Sequence, residues 1–168
     1  MAATFVVEDG SIVAGANSYV TLADAQQYVD NTSANAIWDA LLQAPKEKSL
    51  RMATQFIDQE YHGQWKGLRV DEDQTLDWPR SGVVDRDGYD FDYESIPQKL
   101  QDAVCEAAVD YAVNGTLMPD VGTPGGTKRV KAGPVEKEYF TSDFVKLRRL
   151  IDALVEDMII GGNELRRA

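Results

Sequence analysis

The stretch from His62 to Ser95 limits what this chain can build. It shows neither a helical nor a strand period, holds Gly63, Gly67, Pro79, Gly82 and Gly88, and is crowded with Asp and Glu. Irregular connections of this length are uncommon inside a compact domain and usually carry function when they are ordered. A chain that contains one must draw its core from the flanking segments. It must also fasten the excursion through whatever apolar side chains lie within it. Trp65, Trp78 and Tyr89 are the candidates, because aromatic rings bury large areas per side chain. One short strand is expected around Thr75 to Trp78.

The flanks have helical periodicity. Thr21-Leu22-Ala23-Asp24 has the spacing of a capping box, with Asp in place of the usual Glu, and opens a helix to about Asp30. Ser33 can cap a second, short helix carrying Ile37, Trp38, Leu41 and Leu42. Pro45 suits the first turn of a third helix, where its missing N–H costs nothing. There Leu50, Ala53, Ile57 and Tyr61 share one stripe, while Lys46, Lys48, Arg51 and Gln55 face water. After the excursion, Ser95-Ile96-Pro97 starts the clearest helix, with Ser as cap and Pro in the first turn. Its apolar stripe runs from Leu100 through Ala108 to Tyr111 and stops near Asn114-Gly115. Ser142 or Asp143 caps a last helix, from Phe144 through Leu147, Leu150, Ile151, Leu154 and Val155 to Met158, and Gly161-Gly162 stops it.

Two regions are expected to pair as strands. Thr4–Val7 and Ile12–Val13 flank an Asp9-Gly10 turn, and Thr127–Lys131 and Val135–Phe140 flank Ala132-Gly133-Pro134. Pro119 to Thr127 reads as a linker. The expected fold is therefore mainly α: a small bundle of about four to five helices with a projecting β-hairpin and a long irregular loop. One domain spans residues 1–162, with the hairpin at about 127–140, and residues 163–168 form a tail. A length of 168 residues suits one domain, and 43% hydrophobic residues suffice for a core. No stretch approaches the roughly 20 apolar residues that cross a bilayer, and no leader pattern opens the chain. A cytosol-like compartment with no membrane partner is expected.

Charge and side-chain inventory argue against most chemistry. Cys105 is the only cysteine and His62 the only histidine, so neither a thiol–imidazole pair nor a His/Cys metal site has the residues it needs. Asp85 to Glu94 partly matches a calcium loop around Gly88, with Asp85, Asp87 and Glu94 at ligand positions. Val83 occupies the first ligand position, however, and a solvated acidic turn explains the run better. Gly122 to Lys128 lacks the glycine–lysine–hydroxyl run of a phosphate loop. No catalytic residue, cofactor or metal is expected, and the chain is not expected to be an enzyme. Single-stranded nucleic acid sites combine cations with aromatic platforms. Trp65-Lys66-Gly67-Leu68-Arg69 and Trp78-Pro79-Arg80 place a cation near an indole. Asp71, Glu72, Asp73 and Asp77 lie between them, and the net charge is −11. That field opposes a phosphate backbone, so anchoring the loop is the favoured role for both indoles.

Several runs together resemble a known family. They are Trp78-Pro79-Arg80-Ser81-Gly82-Val83, then Asp85-Arg86-Asp87-Gly88-Tyr89, and Ile96-Pro97 opening an alanine-rich helix. Thr4 to Gly10 followed by Ala16-Asn17-Ser18-Tyr19-Val20, and Lys128 to Glu136, fit the same pattern. The chain resembles, over nearly its whole length, tailed-bacteriophage proteins labelled putative DnaT-like single-stranded DNA-binding proteins. In helical layout these are similar to head–tail adaptor (connector) proteins of the phage neck.

The resemblance implies a structural virion protein, made in the host bacterial cytoplasm and placed in the neck. It would form a homo-oligomeric ring, usually of twelve copies, with genomic DNA passing through the lumen without specific binding during packaging and ejection. The partners implied are the portal protein, touched by Leu165, Arg166, Arg167 and Ala168, and a stopper or tail-completion protein. Trp65, Trp78, Arg80 and Tyr89 are the expected inter-subunit contacts, because Trp, Tyr and Arg dominate interface energetics. The alternative is the literal label, a single-stranded DNA-binding protein of phage replication.

Overall fold

The computed structural model describes residues 4–33, 35–117 and 143–161. Five helices and one pair of short strands follow in the order α1 (Leu22–Asp30), α2 (Asn35–Asp39), α3 (Gln43–Glu60), β1 (Leu68–Arg69), β2 (Arg80–Ser81), α4 (Gln98–Asn114) and α5 (Asp143–Val155). The mainly α bundle expected from the periodicity is the observed fold. Helix α4 is its centre, packed against α3 on one side and α5 on another, with α1 and α2 over its remaining surface. Leu100, Ala103, Val104, Ala107 and Ala108 are buried along it. Their small side chains let α3 approach with Leu50, Ala53 and Ile57 facing inward.

Local chemistry sets the helix ends. Thr21 Oγ1 accepts the Asp24 N–H at 3.1 Å and donates to the Asp24 carboxylate at 2.6 Å, so the box closes hydroxyl to carboxylate. Helix α4 begins later than expected. Pro97, in extended backbone, is the N-cap, with no side-chain cap bond; the Ser95 hydroxyl instead donates to the Asp92 carbonyl at 3.5 Å. It ends as expected at Gly115, whose φ of 72° permits the left-handed cap. Helix α5 stops at Val155, short of the glycine pair. The chain after it pairs with the start of the irregular loop, Lys66 N–H donating to Met158 O and Ile160 N–H to Gln64 O.

The strand expectations need correction. Leu68 and Arg69 pair antiparallel with Ser81 and Arg80, so the loop closes on itself through residues outside Thr75–Trp78. Gly67, at φ 65°, makes that closure possible: a Cβ there would lie 2.2 Å from Ser81 O. Val7 bridges Ser18 rather than residues 12 and 13. The reason is Glu8, which is fully buried and accepts the N–H groups of Gly10, Ile12 and Val13 at 2.8–2.9 Å. These bonds fold the segment around the carboxylate instead of into a ladder. The hairpin expected at 127–140, the linker before it and the tail at 163–168 lie outside the described residues. Among the described residues, no helix is long and apolar enough to cross a membrane.

The irregular loop is fastened by a relay of rings. Tyr61, Trp65, Trp78 and Phe91 have successive centroids 5.4, 5.8 and 6.2 Å apart, running from the end of α3 into the loop. Trp78 is fully buried and Trp65 nearly so, whereas Tyr89 is 74% exposed. Trp78→Ala is expected to cost about 3–5 kcal/mol, and Tyr89→Ala no more than about 0.5 kcal/mol. Urea unfolding of the two variants checks this, and equal losses would show that the loop is held some other way.

Candidate nucleic-acid interface

Trp65 and Arg80 meet at one cavity of about 450 Å³, also lined by His62, Arg69, Glu72 and Asp77. Its cations are committed to the backbone. Arg80 donates to the carbonyls of Lys66 at 2.8 Å, Gly67 at 2.9 Å and Asp77 at 3.2 Å. Arg69 donates to the carbonyls of Gln74 and Glu72. Both arginines therefore hold the loop in shape. The indoles of Trp65 and Trp78 lie inside the chain and offer no stacking face. Of the four residues expected to meet a neighbour, only Tyr89 is broadly exposed, with Arg80 half-buried. Leu165, Arg166, Arg167 and Ala168 lie outside the described residues.

The acidic run is also occupied by local structure. The Asp85 carboxylate accepts the N–H groups of Asp87 and Tyr89, both at 2.9 Å, and Asp92 accepts that of Glu94. Arg86 reaches across to Asp157 at 2.7 Å and to Glu156, while Lys99 meets Asp157 at 2.8 Å. Hydrogen bonds from Lys99 and then Arg86 hold the Asp157 carboxyl below its ordinary value. These are turn and tether contacts. Among the described residues, no group of three or more His, Cys, Asp or Glu is placed to hold a metal ion. Cys105 is buried in α4, and burial pushes its thiol well above the usual range.

A titratable cluster sits where the loop meets α3. The Tyr19 hydroxyl donates to Asp58 at 2.7 Å, the Asp77 N–H donates to the other Asp58 oxygen at 3.1 Å, and His62 lies 3.5 Å from Asp77. The Tyr19 oxygen accepts the backbone N–H of Trp78 at 3.0 Å, so the cluster fixes the main chain that carries the indole. Burial, reinforced by the Asp77 charge, pushes the Asp58 carboxyl up to about 7, while the Tyr19 and Asp77 hydrogen bonds and His62 pull it down.

A second groove runs between the start of α3 and the end of α4. It encloses about 680 Å³ and is lined by Leu41, Glu47, Lys48, Arg51 and Tyr111 among others. Lys48 Nζ lies 6.0 Å from the centroid of the Tyr111 ring, and Lys46 Nζ 5.6 Å from that of Trp38. One Arg51 guanidinium nitrogen is buried with no hydrogen-bond partner. Cations and an exposed aromatic edge thus coincide here, away from the acidic loop. The sequence signal was the Lys46, Lys48, Arg51 and Gln55 spacing on the wet face of α3. What it lacked was Tyr111, which belongs to a different helix.

Comparison with known proteins gives one match. The model of the family described as "Putative DnaT-like ssDNA binding protein" covers residues 3–168. No curated protein matches, and no solved structure does. The family description corrects the expectation of a phage neck connector with portal, stopper and ring contacts, because it names single-stranded DNA binding and nothing of a connector.

The Asp58 site has a pH consequence. A carboxyl raised from 3.8 in the unfolded chain to about 7 in the fold holds its proton more tightly when folded. Its contribution to stability is complete below the unfolded value and is lost as pH rises through about 7. Stability measured by urea unfolding should fall between about pH 4 and pH 7, and Asp58→Asn should flatten that fall. An unchanged profile in the variant would assign the slope to another group.

Proposed function

Because the chain belongs to the family of putative DnaT-like ssDNA binding proteins, we propose that it binds single-stranded DNA, as a binding protein and not an enzyme, along the α3–α4 groove. The observation that carries this reading is the family match over residues 3–168. The residue-level support is the pairing of Lys48 and Arg51 with Tyr111. Sites of this class track the backbone with cations and stack bases on aromatic rings.

The surrounding charge makes the location specific. With a net charge of −11, most of the surface repels a phosphate backbone. Lys48 and Arg51 beside Glu47 form a local cationic stretch on which a strand can settle. The Trp65 and Trp78 clusters cannot serve, since their rings are buried and Arg69 and Arg80 are bonded to carbonyls.

Fluorescence anisotropy with a labelled single-stranded oligonucleotide over a salt series tests the reading. About two phosphate contacts predict a slope of log affinity on log salt of roughly −1.4. The double variant Lys48→Glu/Arg51→Gln should abolish binding, and Lys48→Glu alone, at an exposed position, should weaken it while leaving melting unchanged. Absence of binding at low salt, or full binding by the double variant, would overturn the proposal.

A further inference from the structure

Tyr111 and Gly115 line not one cavity but two. Beyond the cationic groove, the same edge of α4 bounds a smaller cavity of about 270 Å³, whose other walls are Met52, Gln55, Phe56 and Gln59 of α3 together with Thr116 and Leu117. From this arrangement we propose that the smaller cavity takes one unstacked nucleobase of the strand whose phosphates lie in the cationic groove. The inference rests on the DNA-binding reading and assigns the reading of bases to a distinct set of residues.

Three features carry it. The first is continuity. Lys48, Met52, Gln55 and Gln59 follow one another at helical spacing along a single face of α3, so the cationic and amide-bearing parts form one path. A strand whose phosphates meet Lys48 and Arg51 therefore brings its bases to Met52 and Gln55. The second is wall chemistry. Met52, Phe56, Leu117 and the Tyr111 ring give apolar surface for the base faces, and a polarizable thioether adapts to a flat ring. The size lies just below the roughly 300–1,000 Å³ of small-molecule sites, which suits a single ring system rather than a larger ligand.

The third feature is the pair of amides. Gln55 and Gln59 lie one turn apart and, among the described residues, their side chains make no hydrogen bond. Each amide carries donors and an acceptor at fixed separation, which complements the donor and acceptor edges of a base. Such edges are accessible on a splayed base and are occupied by pairing in a duplex. The cavity carries no side chain charged at neutral pH among its described walls, so a neutral base enters it without a charge being buried. Preference for single strands over duplex follows from the same geometry.

The experiment compares a single-stranded oligonucleotide with an abasic oligonucleotide of equal length and charge, at one low salt concentration. The abasic strand should bind about tenfold more weakly or worse, the loss of one stacked and hydrogen-bonded base. Gln55→Ala/Gln59→Ala should bind the abasic strand like the parent protein while losing differences among the four homopolymers. Both glutamines are exposed, so the variant's unchanged melting serves as its folding control. Equal binding of normal and abasic strands would overturn the base pocket and leave the cationic groove standing. Retained discrimination in the double glutamine variant would overturn it as well. Binding of neither strand would remove the DNA reading together with this inference.

Discussion

The edge-on contact between the Trp65 and Trp78 rings, 5.8 Å apart, is what the irregular loop depends on. The loop that they anchor makes little regular structure of its own, only the two-residue strands β1 and β2. Each indole is then fixed from another direction. Tyr61 meets Trp65 from the end of α3 and donates its hydroxyl to Asp152 of α5 at 2.5 Å. The Tyr19 hydroxyl, from the N-terminal segment, accepts the backbone N–H of Trp78. One aromatic relay thus joins the loop to three separated parts of the chain. The cost is visible: both indole N–H groups are buried without a partner, an expense that apolar burial has to exceed.

The same relay explains why so many charges fail to make a charged site. Arg69 and Arg80 sit beside indoles in the sequence, an arrangement that suggests a ligand platform. In the fold their guanidinium groups satisfy backbone carbonyls that an irregular loop leaves without a ladder. Asp85 and Asp92 do the converse service for N–H groups in their turns. A long loop without regular strands needs such side chains in number, and that need accounts for much of the polar composition between His62 and Ser95.

The helices were legible because periodic burial is a local property. The stripe from Leu100 to Ala108 and the Thr21 cap could be recognised from spacing alone, and both lie where expected. The strands were not legible because their pairing was decided at a distance: Glu8 gathers three N–H groups, and Gly67 clears the way for Ser81 O. The candidate groove was half legible. Its cations stood out on the wet face of α3, but Tyr111 reads as the last member of a core stripe until α3 and α4 are packed together. The burial of Trp65 and Trp78 likewise depends on packing that spacing does not encode.

Gln59 occupies a boundary. It walls the smaller cavity on one side, and on the other it lines a separate cleft with Asp58, His62 and Asp77. The path along α3 that begins at Lys48 therefore ends at carboxylates within a single helix. For a strand held on that path, further nucleotides meet repulsion instead of new contacts and must turn away. On the proposed path the footprint would be short, affinity would saturate after a few nucleotides, and a long strand would carry separate copies rather than a continuous coat.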